Sequence, residues 1–149
     1  MRLEEQENVS PFMRLHIDPP IVGKGRPRMN RRGQIYTPQR TKDFEERVAQ
    51  LALISLHAEN RIGPTQLPVL VFGTILHPRP KSLKKNSGGW VAKGGSHYPD
   101  IDNVIKSTLD GLNGVAFVDD SQVCGLRFTR CYAEPGEHPG IYLELFTIG

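Results

Sequence analysis

Apolar and polar positions alternate with two different periods along the chain, and these periods predict the order of its strands and helices. Residues 13–18 alternate as a half-buried strand does, and residues 67–77 are nearly all apolar, which is typical of a central strand covered on both faces. Residues 122–133 alternate again, and residues 141–148 form a last strand. Because a turn signal at residues 134–136 separates these two strands, we predict that they pair as an antiparallel hairpin.

The first segment with a helical period covers about residues 38–59. Its apolar face includes Phe44 and Val48, and either Thr37, followed by a proline, or Thr41 is expected to cap it.

The second predicted helix covers residues 102–112, with Asp102 as its N-cap. Its apolar stripe has four members, namely Ile101, Ile105, Leu109 and Leu112. Asp102, Lys106 and Asp110 follow one another at intervals of four, so they share the opposite side of this helix.

The remaining segments are predicted to be loops. Residues 1–11 are expected to form a flexible arm and residues 12–149 a single domain, since 149 residues is the length of one domain. Residues 21–40 are a basic loop, interrupted by a short strand at residues 35–36. Residues 78–99 are a second long loop, which at this length is either functional or disordered.

The composition excludes several classes of protein. No apolar run approaches the roughly 18 residues of a membrane span, and the charged N-terminus lacks the apolar segment of a secretory signal. Cys124 and Cys131 are too few for a disulfide scaffold, and their spacing does not match that of zinc ligands. We therefore expect a cytosolic, reducing compartment.

The net charge is only +3, but the charges are unevenly distributed. Residues 19–42 include seven basic residues and residues 60–99 include six, with no acidic residue in either segment, whereas residues 100–120 hold five aspartates and one lysine. One interpretation is that these are solvated loops. The other, which we prefer, is that the basic segments bind a polyanion while the aspartates hold a cation. The candidate polyanion-binding residues are Lys24, Arg26, Arg28, Arg31, Arg32, Lys81, Lys84, Lys85 and Lys93.

The aspartates have a spacing that suits a metal site. Asp100 and Asp102 flank one apolar residue at the start of the second helix, and Asp120 follows the next apolar segment, so the three carboxylates are predicted to form one cage. Carboxylate oxygens suit Mg²⁺ or Mn²⁺, which activates water for phosphodiester hydrolysis. Lys106, one turn after Asp102, is expected to stabilise the carboxylates, contact the scissile phosphate or orient the attacking water.

Several other residues have two interpretations. Asp110 is either a further acid of the site or an ordinary partner of Lys106. Tyr36 and Trp90 are candidates for stacking on bases, although packing explains Tyr36 equally well, and His97 is interpreted as an exposed loop histidine. The sequence has no nucleophile–base arrangement that stands out and no phosphate-cradling glycine motif, so no organic cofactor is expected.

The combined pattern resembles the RusA-type Holliday junction resolvases, including members from phages and prophages. The resembling segments are 97–106 (HYPDIDNVIK), 110–112 (DGL) and 118–123 (VDDSQV), together with the basic 24–28 (KGRPR) and 36–38 (YTP). The resemblance implies an α/β fold of the α+β type, in which a small mixed β-sheet packs with two main helices, and it implies a homodimer.

The resemblance also implies an activity. Members bind four-way DNA junctions and make paired, symmetric phosphodiester cuts with Mg²⁺ or Mn²⁺ in recombination and repair, here in the cytoplasm of a bacterial or phage-infected cell. The metal-binding acids of the family fall on Asp100, Asp102 and Asp120, with Asp119 adjacent, and its essential lysine falls on Lys106. The acidic arm and the long glycine-rich loop at 78–99 depart from compact members.

Two other functions fit parts of the pattern. A non-catalytic nucleic-acid-binding module would use the aspartates only for capping and solvation, and would bind in a salt-sensitive way without cleavage. An Asp-x-Asp nucleotide-sugar transferase is disfavoured, because the chain is too short for its usual two sites.

Overall fold

A mixed sheet packed against two helices forms the body of the protein. This computed structural model describes residues 10–83 and 98–148. The strands are β1 (Met13–Ile17), β2 (Arg28–Met29), β3 (Ile35–Tyr36), β4 (Val69–His77), β5 (Val123–Tyr132) and β6 (Gly140–Thr147), and the helices are α1 (Gln39–Ala58) and α2 (Ile101–Leu112). The predicted α+β class is confirmed. Within the described segments, neither helix combines the length and apolarity needed to cross a membrane.

The strand order is β1-β6-β4-β5, so β4 is central, as predicted. It pairs antiparallel with β6 and parallel with β5. The prediction of a β5–β6 hairpin is wrong, because β4 lies between these two strands. The seven residues 133–139, which connect β5 to β6, cross over β4, a distance of roughly 10 Å because neighbouring strands are about 4.8 Å apart. In this arrangement the apolar β4 has a hydrogen-bonded neighbour on each edge.

The helices cover the sheet face on which β1, β4 and β6 bury their apolar side chains. Val71, Ile75 and Leu145 on this face are fully buried against Phe44 and Val48 of α1 in one continuous core. α1 packs on β1 and on α2, so α2 lies toward the β5 side of the sheet.

The start of α1 differs from the prediction in its cap. Pro38 itself is the N-cap, without a side-chain hydrogen bond, and neither Thr37 nor Thr41 caps the helix. The Thr41 hydroxyl instead accepts a hydrogen bond from the Gly25 backbone N–H at 3.1 Å. It therefore ties the basic loop before β2 to the first turn of α1.

The start and the orientation of α2 also differ from the prediction. Asp100, and not Asp102, is its N-cap, which leaves Asp102 in the first turn. The buried face consists of Val104, Ser107, Thr108, Gly111 and Leu112, so only part of the predicted stripe is correct.

Small residues explain this orientation of α2. A Cβ atom on Gly111 would lie 2.7 Å from Val48 Cβ, which means that α1 and α2 touch at this glycine. The Ser107 hydroxyl donates to the Val22 carbonyl at 2.7 Å, and the Thr108 hydroxyl to the Val104 carbonyl at 2.8 Å, so their burial leaves neither hydroxyl unpaired.

Candidate active site

An open cleft of about 650 Å³ lies beside the start of α2. Its walls are the basic loop before β2, the first turn of α1 and the residues that lead into α2, among them Arg26, Arg28, Arg40, Tyr98 and Asn103. The three arginines are exposed, so their guanidinium groups are free to meet a polyanion. Arginines beside a helix N-terminus are a favourable environment for a phosphate.

The cleft keeps its shape because the basic loop lies directly against α2. The Lys24 backbone N–H donates to the Asn103 carbonyl at 2.8 Å. A Cβ atom on Gly23 would collide with Pro99 and lie 3.1 Å from Asn103 Cβ, so only glycine permits this approach.

Asp100 and Asp102 are both exposed, and they lie in the chain between Pro99 and Asn103, which line this cleft. The residues before them are held to the far end of the sheet. Arg130 Nη1 donates to the Pro99 carbonyl at 2.6 Å, and the ring of Tyr98 stacks on His77 with its centroid 4.2 Å away. These contacts place the start of α2 beside the C-terminal ends of β4 and β5.

Asp119 and Asp120 stand at the opposite end of β5. They belong to a short 3-10 turn (Asp120–Gln122) that leads directly into this strand. Gln122 Nε2 donates to the carbonyls of Thr65 and Leu67 at 3.0 and 2.9 Å, which fixes the turn beside the start of β4.

The two adjacent aspartates have different surroundings. The Ser121 hydroxyl donates to Asp119 Oδ2 at 2.6 Å and thereby holds the pKa of that carboxyl below its ordinary value. The Asp119 backbone N–H donates to Gln122 Oε1 at 2.9 Å, so Asp119 stabilises the turn. Asp120 is the next residue and is exposed.

The four aspartates do not meet within one chain. Nine residue steps separate the ends of β5, which is about 30 Å at roughly 3.3 Å per step. Across residues 10–83 and 98–148, no three of these carboxylates bring oxygen atoms within 4.8 Å of one another. The pair at the start of α2 and the pair before β5 are thus two separate half-sites, and their common role as metal ligands stays a prediction.

Lys24 has an internal role that the sequence did not reveal. Its ammonium group lies 2.7 Å from Glu45 Oε1 and 2.8 Å from Asp110 Oδ2, and all three side chains are largely covered. Burial acts to lower the pKa of Lys24, but the hydrogen bonds to Asp110 and Glu45 outweigh it and raise that pKa above its ordinary value. Asp110 therefore pairs with Lys24, an arrangement that neither sequence interpretation had included.

The other predicted contact residues that the structure describes are exposed. Arg26, Arg28, Arg31 and Arg32 are exposed on the loop and hairpin formed by β2 and β3, where Tyr36 is also 43% exposed. Lys81 and Lys106 are exposed elsewhere. The predictions for Lys84, Lys85, Lys93, Trp90 and His97 fall outside the described residues.

Arg40, Tyr98 and Arg130 were missed as candidate residues of this site. Arg40 lies in the first basic segment and is the second residue of α1, so its charge and its place in the sequence could have identified it as part of the cleft. Tyr98 lies in the segment 97–106 that carries the family resemblance, although it was given no role there, whereas Arg130 has no local signal because its role depends on a contact between distant segments.

The fold and the site define a class of small α+β proteins that present carboxylates beside a basic cleft. A family model described as "Endodeoxyribonuclease RusA" matches residues 18–145, which is most of the chain. The uncharacterized protein YqaN of Bacillus subtilis (strain 168) is 35% identical over 123 residues, covering 76% of this chain and 82% of that protein. The chain belongs to the RusA endodeoxyribonuclease family, as its motifs predicted.

Proposed function

We propose that the protein is a divalent-metal-dependent endonuclease that resolves four-way DNA junctions by paired, symmetric cuts during recombination and repair. The observation that carries this proposal is the arginine-lined cleft beside the start of α2, where Asp100 follows the lining residue Pro99 and Asp102 precedes the lining residue Asn103. Membership of the RusA family supports the same activity.

The cleft supplies the DNA-binding surface in this proposal. Arg26, Arg28 and Arg40 neutralise backbone phosphates, and the exposed arginines of the β2–β3 hairpin extend the contact along a duplex arm.

The carboxylates supply the metal site. Asp100, Asp102 and Asp120 offer hard oxygen ligands, a donor set that fits Mg²⁺ or Mn²⁺. When bound, such an ion neutralises phosphate charge and lowers the pKa of a water molecule. Lys106 lies one turn after Asp102, and we assign it to the charge of the scissile phosphate.

We further propose that a second copy of the chain completes this site. β5 is an edge strand, so one row of its backbone N–H and C=O groups has no partner strand in the described sheet. Leu126 and Val118, on and beside this strand, are 45% and 52% exposed. Antiparallel apposition of two β5 edges about a two-fold axis brings the start of one strand to the end of the other.

This apposition joins the two half-sites. Asp120 of one chain meets Asp100 and Asp102 of the other chain, and the same happens a second time by symmetry. The dimer then has two composite sites, one for each of the two cuts that a junction requires.

A mixing experiment tests the composite site. Asp102→Asn and Asp120→Asn are prepared separately, and each is inactive on a synthetic mobile junction with Mg²⁺. In a mixed dimer, one site carries both substitutions and the other carries none. After random subunit exchange, we expect nicking at about one quarter of the wild-type rate. If the mixture is as inactive as its components although the subunits exchange, the composite site is refuted.

A second experiment tests the activity itself. Wild-type protein with Mg²⁺ should cut the junction on two strands, chelation should abolish cutting, and Asp102→Asn should bind the junction without cutting it. Asp43→Asn is the matched control, because Asp43 is an exposed aspartate of α1 that belongs to neither half-site. Salt-sensitive binding without cleavage by the wild type would instead identify a non-catalytic nucleic-acid-binding module.

A further inference from the structure

Two histidines and an aspartate converge at the β1 edge of the sheet, and none of them lines the cleft or belongs to the aspartates of the proposed active site. His16 lies in β1, Asp18 follows this strand, and His138 belongs to the turn before β6. Pairing of β1 with β6, in which His16 stands opposite Tyr142, brings these distant segments together.

The three side chains bring one possible ligand atom each into a single cluster, in which His138 and Asp18 are within hydrogen-bond distance of each other. His138 Nε2 is 2.6 Å and His16 Nδ1 is 3.5 Å from the same atom, Asp18 Oδ1. One ligand atom from each residue lies within 4.8 Å of the others, and among the residues that the structure describes this is the one group of three with that property.

The tautomer of His16 directs a lone pair into the cluster. His16 Nε2 lies 3.3 Å from the Pro139 carbonyl oxygen, which only accepts hydrogen bonds, so Nε2 carries the proton. With Nε2 protonated, Nδ1 is the ring atom that faces the Asp18 carboxylate, where it binds either a second proton or a metal ion. A second ring nitrogen donating to a backbone carbonyl is the usual arrangement of a metal-bound histidine.

The surrounding backbone holds the cluster in place. Gly140 has φ of +142°, and a Cβ atom there would lie 2.6 Å from His16 Nε2, so the ring fits because residue 140 is glycine. The Tyr142 hydroxyl donates to the His138 carbonyl at 2.7 Å, and the Tyr142 ring centroid lies 4.4 Å from that of His16.

We propose that His16, Asp18 and His138 bind a divalent transition-metal ion of the zinc type, with water in the open position. Ligands about 2.0–2.1 Å from a tetrahedral zinc are roughly 3.3 Å apart, close to the His16–Asp18 distance. His138 and Asp18 must separate slightly, which their exposed side chains, at 66% each, permit. Two imidazoles select zinc over Mg²⁺, so this site differs in metal preference from the carboxylate site.

The bound ion would have a structural effect on the basic loop. It links the end of β1, where the chain turns toward the cleft, to the turn that precedes β6. The ion thereby restrains the entry to the segment that supplies Arg26 and Arg28.

Calorimetric titration of the metal-free, full-length protein with Zn²⁺ tests the proposal. We expect one high-affinity ion per chain, which excess Mg²⁺ does not displace. His138→Gln and Asp18→Asn should each lower the affinity by about tenfold or more, whereas His57→Gln, at an exposed histidine of α1, should not. Substitution with Co²⁺ should give the visible absorption of a tetrahedral ion in the wild type and not in His138→Gln.

The same titration separates this site from the proposed active site. Asp102→Asn should retain the tight Zn²⁺ ion, because Asp102 lies in α2 and outside the cluster. Equal Zn²⁺ affinity of the wild type and His138→Gln, no binding by the wild type, or loss of the tight ion in Asp102→Asn would each overturn the proposal. Unchanged circular dichroism of His138→Gln is the check that the variant is folded.

Discussion

His77, the last residue of β4, is a buried histidine whose titration should control stability in mild acid. Its side chain has no exposed surface, and neither ring nitrogen has a hydrogen-bond partner among the described residues. Burial lowers the pKa of His77 from 6.5 to about 4, and the nearby positive charge of Arg130 acts in the same direction. The neutral ring stacks on Tyr98, two residues before Asp100.

The size and the sign of the effect follow from proton binding. The unfolded chain takes up a proton near pH 6.5, whereas the folded protein takes it up only near pH 4, so falling pH favours the unfolded chain. At about 1.4 kcal/mol per pH unit, a pKa lowered from 6.5 to about 4 corresponds to a complete loss of about 3.5 kcal/mol. The loss begins as the pH falls below 6.5 and is complete only when the pH lies well below the folded-state pKa of about 4. Between about pH 7 and pH 4.5, we expect a loss of about 2 kcal/mol.

Urea unfolding of the wild type and His77→Phe at these two pH values measures the effect. Phenylalanine keeps a ring over Tyr98 but has no proton to bind, so the variant should lose about 2 kcal/mol less than the wild type. His57→Gln is the control, since His57 is an exposed histidine near the end of α1. Equal acid losses for the wild type and His77→Phe would refute the reasoning.

Three further predictions concern the helices and the cleft. Gly111→Ala should lower the free energy of unfolding by about 1–2 kcal/mol, as measured by urea unfolding, because the new methyl group would collide with Val48. This loss is expected although alanine favours a helix more than glycine does. Lys24→Met leaves the carboxylates of Asp110 and Glu45 facing each other, so it should lower the free energy of unfolding by about 1–2 kcal/mol near pH 7 and by less in acid. The exposed Lys42→Met is the control, and an equal loss at neutral and acid pH would contradict this prediction. Arg40→Gln should weaken junction binding and reduce the steepness of log K against log salt concentration by about 0.9. Binding titrations at several salt concentrations measure this slope, and an unchanged slope would show that Arg40 does not contact the DNA backbone.

Local patterns were sufficient for most elements of this fold. The alternation in β1 and the apolar run in β4 predicted strands within two residues of their observed ends. The period of α1 predicted that helix within one residue at each end, because side-chain periods report directly on the backbone repeat. The strand order was not predictable in the same way, since any apolar strand can pair with β5 or β6 until the whole sheet is assembled.

The candidate site also has features that the sequence predicted and a contact that it did not. The spacing of Asp100, Asp102 and Asp120 and the acid-free basic segments indicated a metal-dependent nuclease from residue types alone, because chemistry is a property of side chains. The pairing of Lys24 with Asp110 was hidden, because it joins residues that are distant in sequence.

The sequence by itself determined the kinds of elements and the family, and it supplied the prediction of the site residues, since each depends on the order of neighbouring side chains. Only the tertiary structure decided that β4 separates β5 from β6, that Gly111 faces Val48 of α1, and that the two pairs of aspartates lie toward opposite ends of β5. These outcomes depend on hydrogen bonding and packing between segments far apart in the chain, and the period of any one segment does not encode them.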